Sequence, residues 1–224
     1  MLALAPDARL LQSVVNASRK VLGFFPAHNP RALEYPWIMA QLPEDVCGWR
    51  VLDVGAGANV TPFLLAERGV IVVTLDNHPT KRDPVERQSW NEWGFLDYSL
   101  LDSRITSVRT PYEDWHISEP FDAIYSVSVI EHVSRTVRLA WIDNFRAQLK
   151  QDGLLLLTVD LVRDTNSLWN LCEGRIVDDP AVHGEFDTLI GELRSAGFDV
   201  AQTSIQRSVP NCRVDIGFVR AKKR

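Results

Sequence analysis

Four residues in this chain have the types and spacing for ligand chemistry: Asp53, Gly55, Gly57 and Asp76. Val51-Leu-Asp-Val-Gly-Ala-Gly57 reads as a short apolar strand entering a turn without side chains, where backbone N–H groups can come close to a ligand. Gly55, Ala56 and Gly57 are the backbone contacts expected there. The apolar run Val70 to Leu75 reads as a second buried parallel strand and delivers Asp76 to the same rim, 21 residues after Gly55. A carboxylate in that place can accept hydrogen bonds from both hydroxyls of a ribose. Asp53, two residues before the first glycine, would repel a pyrophosphate but suits a sulfonium or an ammonium group. The window Gly55-Ala-Gly-Ala-Asn-Val60 also lacks the third glycine of the dinucleotide pattern.

The flanking sequence predicts the elements that hold these residues. A helix after the turn is capped by Asn59 or Thr61, has Pro62 in its first turn and ends at Gly69, with free N–H groups facing an anion. Leu10, Leu11, Val14, Val15, Ser18, Val21 and Leu22 predict an amphipathic helix over 7–22, closed by Gly23. Pro26, Pro30 and Pro36 then divide the chain into turns and a short helix containing Ala32 and Leu33. Residues 78–104 are ambiguous, with one helix placed near 86–93. Strands are predicted over 105–109, 121–127 and 154–161, and a helix over 135–150 closes at Gly153. A helix over 185–196 stops at Gly197. Strands over 198–207 and 213–219 follow, and their short link at Pro210-Asn211 forbids a parallel crossover. The alternation predicts an α/β, doubly wound sheet that is mostly parallel and ends in an antiparallel hairpin.

Four blocks in order carry a family resemblance: Val51–Gly57, Pro120-Phe-Asp-Ala-Ile-Tyr-Ser126, Ser128-Val-Ile-Glu-His-Val133 and Leu149-Lys-Gln-Asp-Gly-Leu-Leu-Leu-Leu157. Over about residues 48 to 160 the chain resembles the class I S-adenosylmethionine-dependent methyltransferases. The resemblance implies a Rossmann-like seven-stranded sheet, S-adenosylmethionine as cofactor, and a single domain over 48–224 preceded by a helical lid segment over 1–47. It implies Asp53 near the amino group of the cofactor's methionine part, Gly55, Ala56 and Gly57 along its amino-acid and ribose side, and Asp76 on the ribose. Asn77 then reaches the adenine edge or simply forms the turn. Many relatives bind the adenine amino group with an Asp after the third strand, but here Pro111 stands in its place, so Tyr112, Glu113 or a backbone group must substitute. Ser126 and Val127 are expected beneath the reacting sulfur. Arg31, Glu34, Tyr35 and Trp37 either fold over the cofactor or pack on the sheet.

Methyl transfer from a sulfonium is an in-line displacement that needs alignment and exclusion of water. A hydroxyl acceptor also needs a base, and His132 with Glu131 beside it is the first candidate. The alternative is that Glu131-His132 only orders its loop. His183, Glu173 and Asp160 rank lower. Some relatives bind a divalent ion through Glu-x-x-Glu-His at this place, but here the first carboxylate is absent, so no metal is expected. The acceptor is expected between the N-terminal segment and the inserts over 78–104 and 162–184. Trp90, Trp93, Trp115 and Trp169 there serve as aromatic walls or as packing anchors. The acceptor itself is read as a small molecule methylated on oxygen.

Composition bounds these readings. A chain of 224 residues with 46% hydrophobic side chains can bury one sizeable core. A net charge of −5 argues against a nucleic-acid partner, and the basic end Arg220-Ala-Lys-Lys-Arg224 reads as a frayed tail. No apolar stretch approaches the roughly 20 residues of a membrane span, and there is no signal-peptide core, so no membrane partner and a cytoplasmic location are expected. Cys47, Cys172 and Cys212 lack metal or disulfide spacing and read as free thiols. Two other classes remain: an NAD-dependent oxidoreductase, which lacks the third glycine and a Tyr-x-x-x-Lys pair, and a non-catalytic cofactor-binding scaffold. Oligomeric state is not readable.

Overall fold

The structure is a computed structural model that describes residues 7–83, 90–117, 119–169, 171–172, 175–177 and 179–224. The chain divides into two compact units, one ending at Trp115 and the other running from His116 to Arg224. Seven strands belong to one sheet. Three come from the first unit and four from the second.

The first unit opens with α1 (Ala8–Val21), where the Asp7 carboxylate accepts from the Arg9 N–H and Gly23 closes the helix with a φ of 84°. The second helix, α2 (Arg31–Gln41), is longer than the short helix predicted. It runs through Pro36, whose missing N–H forfeits one helical hydrogen bond. Tyr35, Trp37 and Ile38 are buried beside it, so tertiary packing overrides the local penalty. Strands β1 (Arg50–Val54), β2 (Ile71–Leu75) and β5 (Ile105–Val108) form a parallel ladder with β2 in the middle. Val51, Leu52 and Val54 are fully buried, as a strand covered on both faces requires. Helix α3 (Thr61–Glu67) crosses from β1 to β2, and Gly69 follows it with a φ of 80°.

Between β2 and β5 lie two short paired strands, β3 (Lys81–Arg82) and β4 (Phe95–Leu96), and a 3-10 turn over Tyr98–Leu100. The helix predicted near 86–93 is not present over 90–93, and its remainder lies outside the described residues. The Asn91 carboxamide accepts from the Arg82 guanidinium at 2.6 Å and from the Trp93 N–H at 3.0 Å, which holds this stretch as a loop.

In the second unit the sheet order is β10 (Phe198–Gln206), β11 (Val214–Lys223), β7 (Leu149–Val162) and β6 (Phe121–Val127). Strand β6 (Phe121–Val127) matches its prediction, and α4 (Arg135–Gln148) is capped by the Ser134 hydroxyl. Gly153 does not close that helix. Strand β7 (Leu149–Val162) follows α4 directly, five residues earlier than predicted, with a register irregularity against β6 and Asp152 at a φ of 61°. After β7 come a small hairpin of β8 (Leu171–Cys172) and β9 (Arg175–Ile176), the single turn α5 (Pro180–His183) and α6 (Phe186–Ser195). The last strands, β10 (Phe198–Gln206) and β11 (Val214–Lys223), pair antiparallel, and β11 also pairs antiparallel with β7. The basic end is therefore not frayed. Arg220, Ala221 and Lys222 pair across to β7, and the Lys223 ammonium donates to the Leu149 carbonyl at 2.7 Å. Among the described residues no helix is long and apolar enough to cross a membrane.

Candidate functional site

The glycine turn is built in the first unit. Gly55 and Gly57 adopt φ values of 74° and 54°, which a side chain would strain. A Cβ at Gly57 would lie 2.4 Å from the Glu92 carbonyl oxygen, so close approach of another backbone segment also demands glycine here. The N–H groups of Gly55 and Ala56 donate to the Leu75 carbonyl at 2.8 and 3.1 Å. Gly57 N–H donates to Asp76 Oδ2 at 2.8 Å, Ala58 N–H to the Glu92 carbonyl at 3.0 Å, and Asn59 N–H to the Tyr98 hydroxyl oxygen at 2.8 Å. The turn and Asp76 thus converge as predicted, but their donors are engaged with the protein itself. Asp76 accepts a second hydrogen bond, from the His78 N–H at 2.6 Å. Each carboxylate oxygen offers two lone pairs, so acceptor capacity remains for a ligand hydroxyl.

Asn59 and Tyr98 lock this arrangement, and sequence reading gave neither that role. The buried Asn59 carboxamide donates to Asp53 Oδ2 at 2.9 Å and to the Ala56 carbonyl at 2.7 Å, and its oxygen accepts from the Thr61 N–H at 2.8 Å. One side chain therefore starts α3, closes the turn and orients Asp53. The Tyr98 hydroxyl is fully buried, lies 3.1 and 3.2 Å from the Gly57 and Asn59 carbonyls, and has its pKa pushed well up by burial and then by Asp53. The signal available in the sequence was an aromatic with a polar tip beside Asp97 in a largely apolar stretch of the 78–104 segment.

Arg31, Glu34 and Tyr35 are buried, with Glu92 close by. Arg31 pairs with Glu34 at 2.5 Å and lies 3.8 Å from Glu92. Burial raises the Tyr35 phenol above its ordinary range; Arg31 opposes this, while Glu92, Glu34 and Asp53 add to it. Three carboxylates and one guanidinium thus surround the phenol, and a positive ligand group would add a second cation. Asn77 is exposed beside Asp76. Tyr112 is buried and Glu113 half-buried on the 3-10 turn that follows β5. Arg109 braces the loop after Asp76, donating to the carbonyls of His78 and Pro79 at 3.2 and 2.8 Å while stacking over Phe95. Trp90 is a packing residue whose indole N–H donates to the Asp83 carbonyl at 2.7 Å, whereas Trp93 is 60% exposed.

The second unit carries the base candidates. Ser126 is buried near the end of β6, and Ser128 turns the chain with a φ of 50° while its hydroxyl donates to Asp160 Oδ1 at 3.1 Å. Glu131 is fully buried and its Oε1 accepts from the Asp160 N–H at 2.8 Å. His132 is half-buried, and its Nδ1 lies 2.9 Å from the Leu171 carbonyl oxygen. A carbonyl only accepts, so Nδ1 carries the proton and Nε2 the lone pair. One ligand atom from each of Glu131, His132 and Asp160 falls within 4.8 Å of the others. The sequence argument counted one carboxylate beside His132; the fold supplies Asp160 as another. His183 is buried, with Nε2 2.8 Å from the Glu131 carbonyl and 3.1 Å from that of Trp169. Burial, and then the nearby Arg138, hold its pKa below the ordinary value. Its Nε2 is a donor here and no base. Glu173 and the side chain of Cys172 lie outside the described residues.

A family model described as a methyltransferase domain matches residues 7–203. The ubiquinone biosynthesis O-methyltransferase of Actinobacillus pleuropneumoniae is 30% identical over 139 residues, covering 60% of this chain and 55% of that protein. Its counterpart in Haemophilus ducreyi is 28% identical over 135 residues, with 60% and 55% covered. The chain spans about half the length of these curated relatives. Among solved structures, the 1,6-didemethyltoxoflavin-N1-methyltransferase of Burkholderia thailandensis superposes with a TM-score of 0.64 at 17% identity, covering 100% of this chain and 92% of that one. An S-adenosylmethionine-dependent methyltransferase from Mesorhizobium loti gives 0.60 at 19% identity, with 85% and 97% covered. With the family model matched over most of its length and a seven-stranded sheet ending in an antiparallel hairpin, this chain belongs to the class I S-adenosylmethionine-dependent methyltransferases.

Proposed function

We propose that this enzyme transfers the methyl group of S-adenosylmethionine to an oxygen atom of a small-molecule acceptor. The observation that carries the cofactor assignment is the convergence of Gly57 and Asp76 at 2.8 Å, with Asp53 held by Asn59 in the same unit. Asp76 would hold the ribose hydroxyls through its remaining lone pairs, and Asp53 would face the methionine ammonium. Asn77, Tyr112 and Glu113 are the proposed adenine contacts. The glycine turn admits no Cβ, and the acidic surroundings of Tyr35 favour a positive ligand, so the residues present fit the cofactor.

When bound, the cofactor supplies an electrophilic methyl on a cationic sulfur. The residues of this chain then have two tasks. They must fix the donor and keep water from the reacting atoms. They must also remove the acceptor's proton as the new oxygen–carbon bond forms, and His132 is the proposed base. With Nδ1–H anchored on the Leu171 carbonyl, the proton would move to Nε2. Glu131 supports this loop by accepting the Asp160 N–H, and is a positioning residue. Oxygen is preferred because the curated relatives are O-methyltransferases and a hydroxyl is the acceptor that needs such a base.

The test is a screen with methyl-labelled cofactor over phenols, sugars, carboxylates and RNA, alongside calorimetry with S-adenosylmethionine, S-adenosylhomocysteine and NAD. Label on a hydroxyl of a small acceptor, with no heat from NAD, is the expected outcome. Label confined to nitrogen, or transfer only to RNA, would refute it.

A further inference from the structure

A pocket of about 110 Å³ opens in the second unit, lined in part by His183, whose Nε2 lies 2.8 Å from the Glu131 carbonyl. Its walls are apolar at Val162, Leu168, Val177 and Pro180, and its polar groups come from Ser167 and His183. An engineered cavity of about 150 Å³ accepts benzene, so this one admits a single ring that partly protrudes from its mouth.

His183 gives the pocket a chemical preference. The side chain is 3% exposed, and both carbonyls beside Nε2, those of Glu131 and Trp169, can only accept a hydrogen bond. Nε2 therefore holds the proton. A neutral imidazole has one N–H, so Nδ1 presents a bare lone pair, and among the described residues nothing donates to it. A ligand that brings an O–H on an apolar ring would satisfy that lone pair and fill the apolar walls as well.

We propose that this pocket is an acceptor subsite for a hydroxylated ring, which donates its O–H to Nδ1 of His183 and seats its apolar body against Val162, Leu168, Val177 and Pro180. The proposal rests on the methyl-transfer reading above and names the acceptor class that reading leaves open. His183 here anchors the acceptor through a hydroxyl other than the one methylated, while His132 remains the base for the reacting hydroxyl.

The probes are phenol and cyclohexanol, with toluene as the ring that lacks a donor, titrated into the full chain labelled with nitrogen-15 histidine. Both alcohols should move the bare-nitrogen resonance of His183 saturably, and toluene should not. No saturable shift from either alcohol, or an equal shift from toluene, overturns the proposal. His183→Phe should weaken alcohol binding by about tenfold or more. Val177→Phe fills the pocket and leaves His183 in place; it should weaken alcohol binding to a similar degree, and wild-type affinity in that variant also overturns the proposal. Calorimetry with S-adenosylhomocysteine on the same samples separates the two readings. Cofactor heat without an alcohol response removes the pocket alone, whereas an alcohol response without cofactor heat removes the methyl-transfer role and with it the acceptor assignment.

Discussion

The Gly57 N–H donates to Oδ2 of Asp76 across 2.8 Å, joining two residues 19 positions apart that end neighbouring parallel strands. The contact ties the turn after β1 to the acid after β2, so a change in either residue should be felt at the other. Asp76→Ala removes the acceptor for two backbone donors and the proposed acceptor for the cofactor's hydroxyls, and should weaken cofactor binding by about 1–3 kcal/mol. Calorimetry with S-adenosylhomocysteine reads this directly. Unchanged affinity would remove Asp76 from the site.

Gly57→Ala should be more damaging than a single methyl suggests. The new Cβ falls 2.4 Å from the Glu92 carbonyl oxygen, and the φ of 54° is itself unfavourable for alanine. The turn or the segment carrying Glu92 must shift. A lowered melting temperature together with weakened cofactor binding is expected, and a variant as stable as wild type would show that the Glu92 segment yields freely.

Tyr98→Phe keeps the ring packed on Phe63, at 5.3 Å between centroids, but leaves the buried Asn59 N–H without its acceptor. The cost expected from one unsatisfied buried donor is about 1–3 kcal/mol in urea unfolding, with weaker cofactor binding because the same hydroxyl steadies the turn. Loss of stability below about 0.5 kcal/mol would mean that water replaces the hydroxyl.

His132→Gln should lower kcat by about 10²–10⁴ if the imidazole takes the acceptor's proton, while cofactor affinity stays unchanged. A chelator should leave the rate intact. Oε1 of Glu131 and Oδ1 of Asp160 already accept hydrogen bonds that shape the loop, so two of the oxygens near His132 are committed. Activity lost to chelation and restored by magnesium would make Glu131, His132 and Asp160 a metal site.

Stability should fall on acidification in two stages. The unfolded chain binds a proton on His183 near 6.5, which the native ring resists, so this contribution is lost as pH falls below that value toward the lower native pKa. Asp215 follows. Burial alone would raise its pKa, but Arg207 and the N–H groups of Asp164 and Ser208 outweigh that and hold it below 3.8. Its contribution is complete above the unfolded value and declines as pH falls through the native one. Urea midpoints across pH should show both stages. His183→Gln should flatten the upper one and Asp215→Asn the lower.

The features legible in the residues alone are those whose physics is local. The run Val51–Val54 can only be a covered strand, the two glycines only a tight turn, and the short Pro210-Asn211 link only an antiparallel return, so β1, its turn and the final hairpin were legible. The meeting of Gly57 with Asp76 followed from parallel neighbours ending at one rim. The remainder was set by the folded chain, because long-range burial and pairing outweigh local signals. It carried α2 through Pro36, began β7 at Leu149 and drew the basic end into β11. It also brought Tyr98 to the turn from 41 residues beyond Gly57, and Asp160 to Glu131 from 29 residues away. No spacing rule links such pairs. Their partners are set by where the strands end in space, and the hydrogen bonds form because a buried polar group left alone costs more than the order needed to satisfy it.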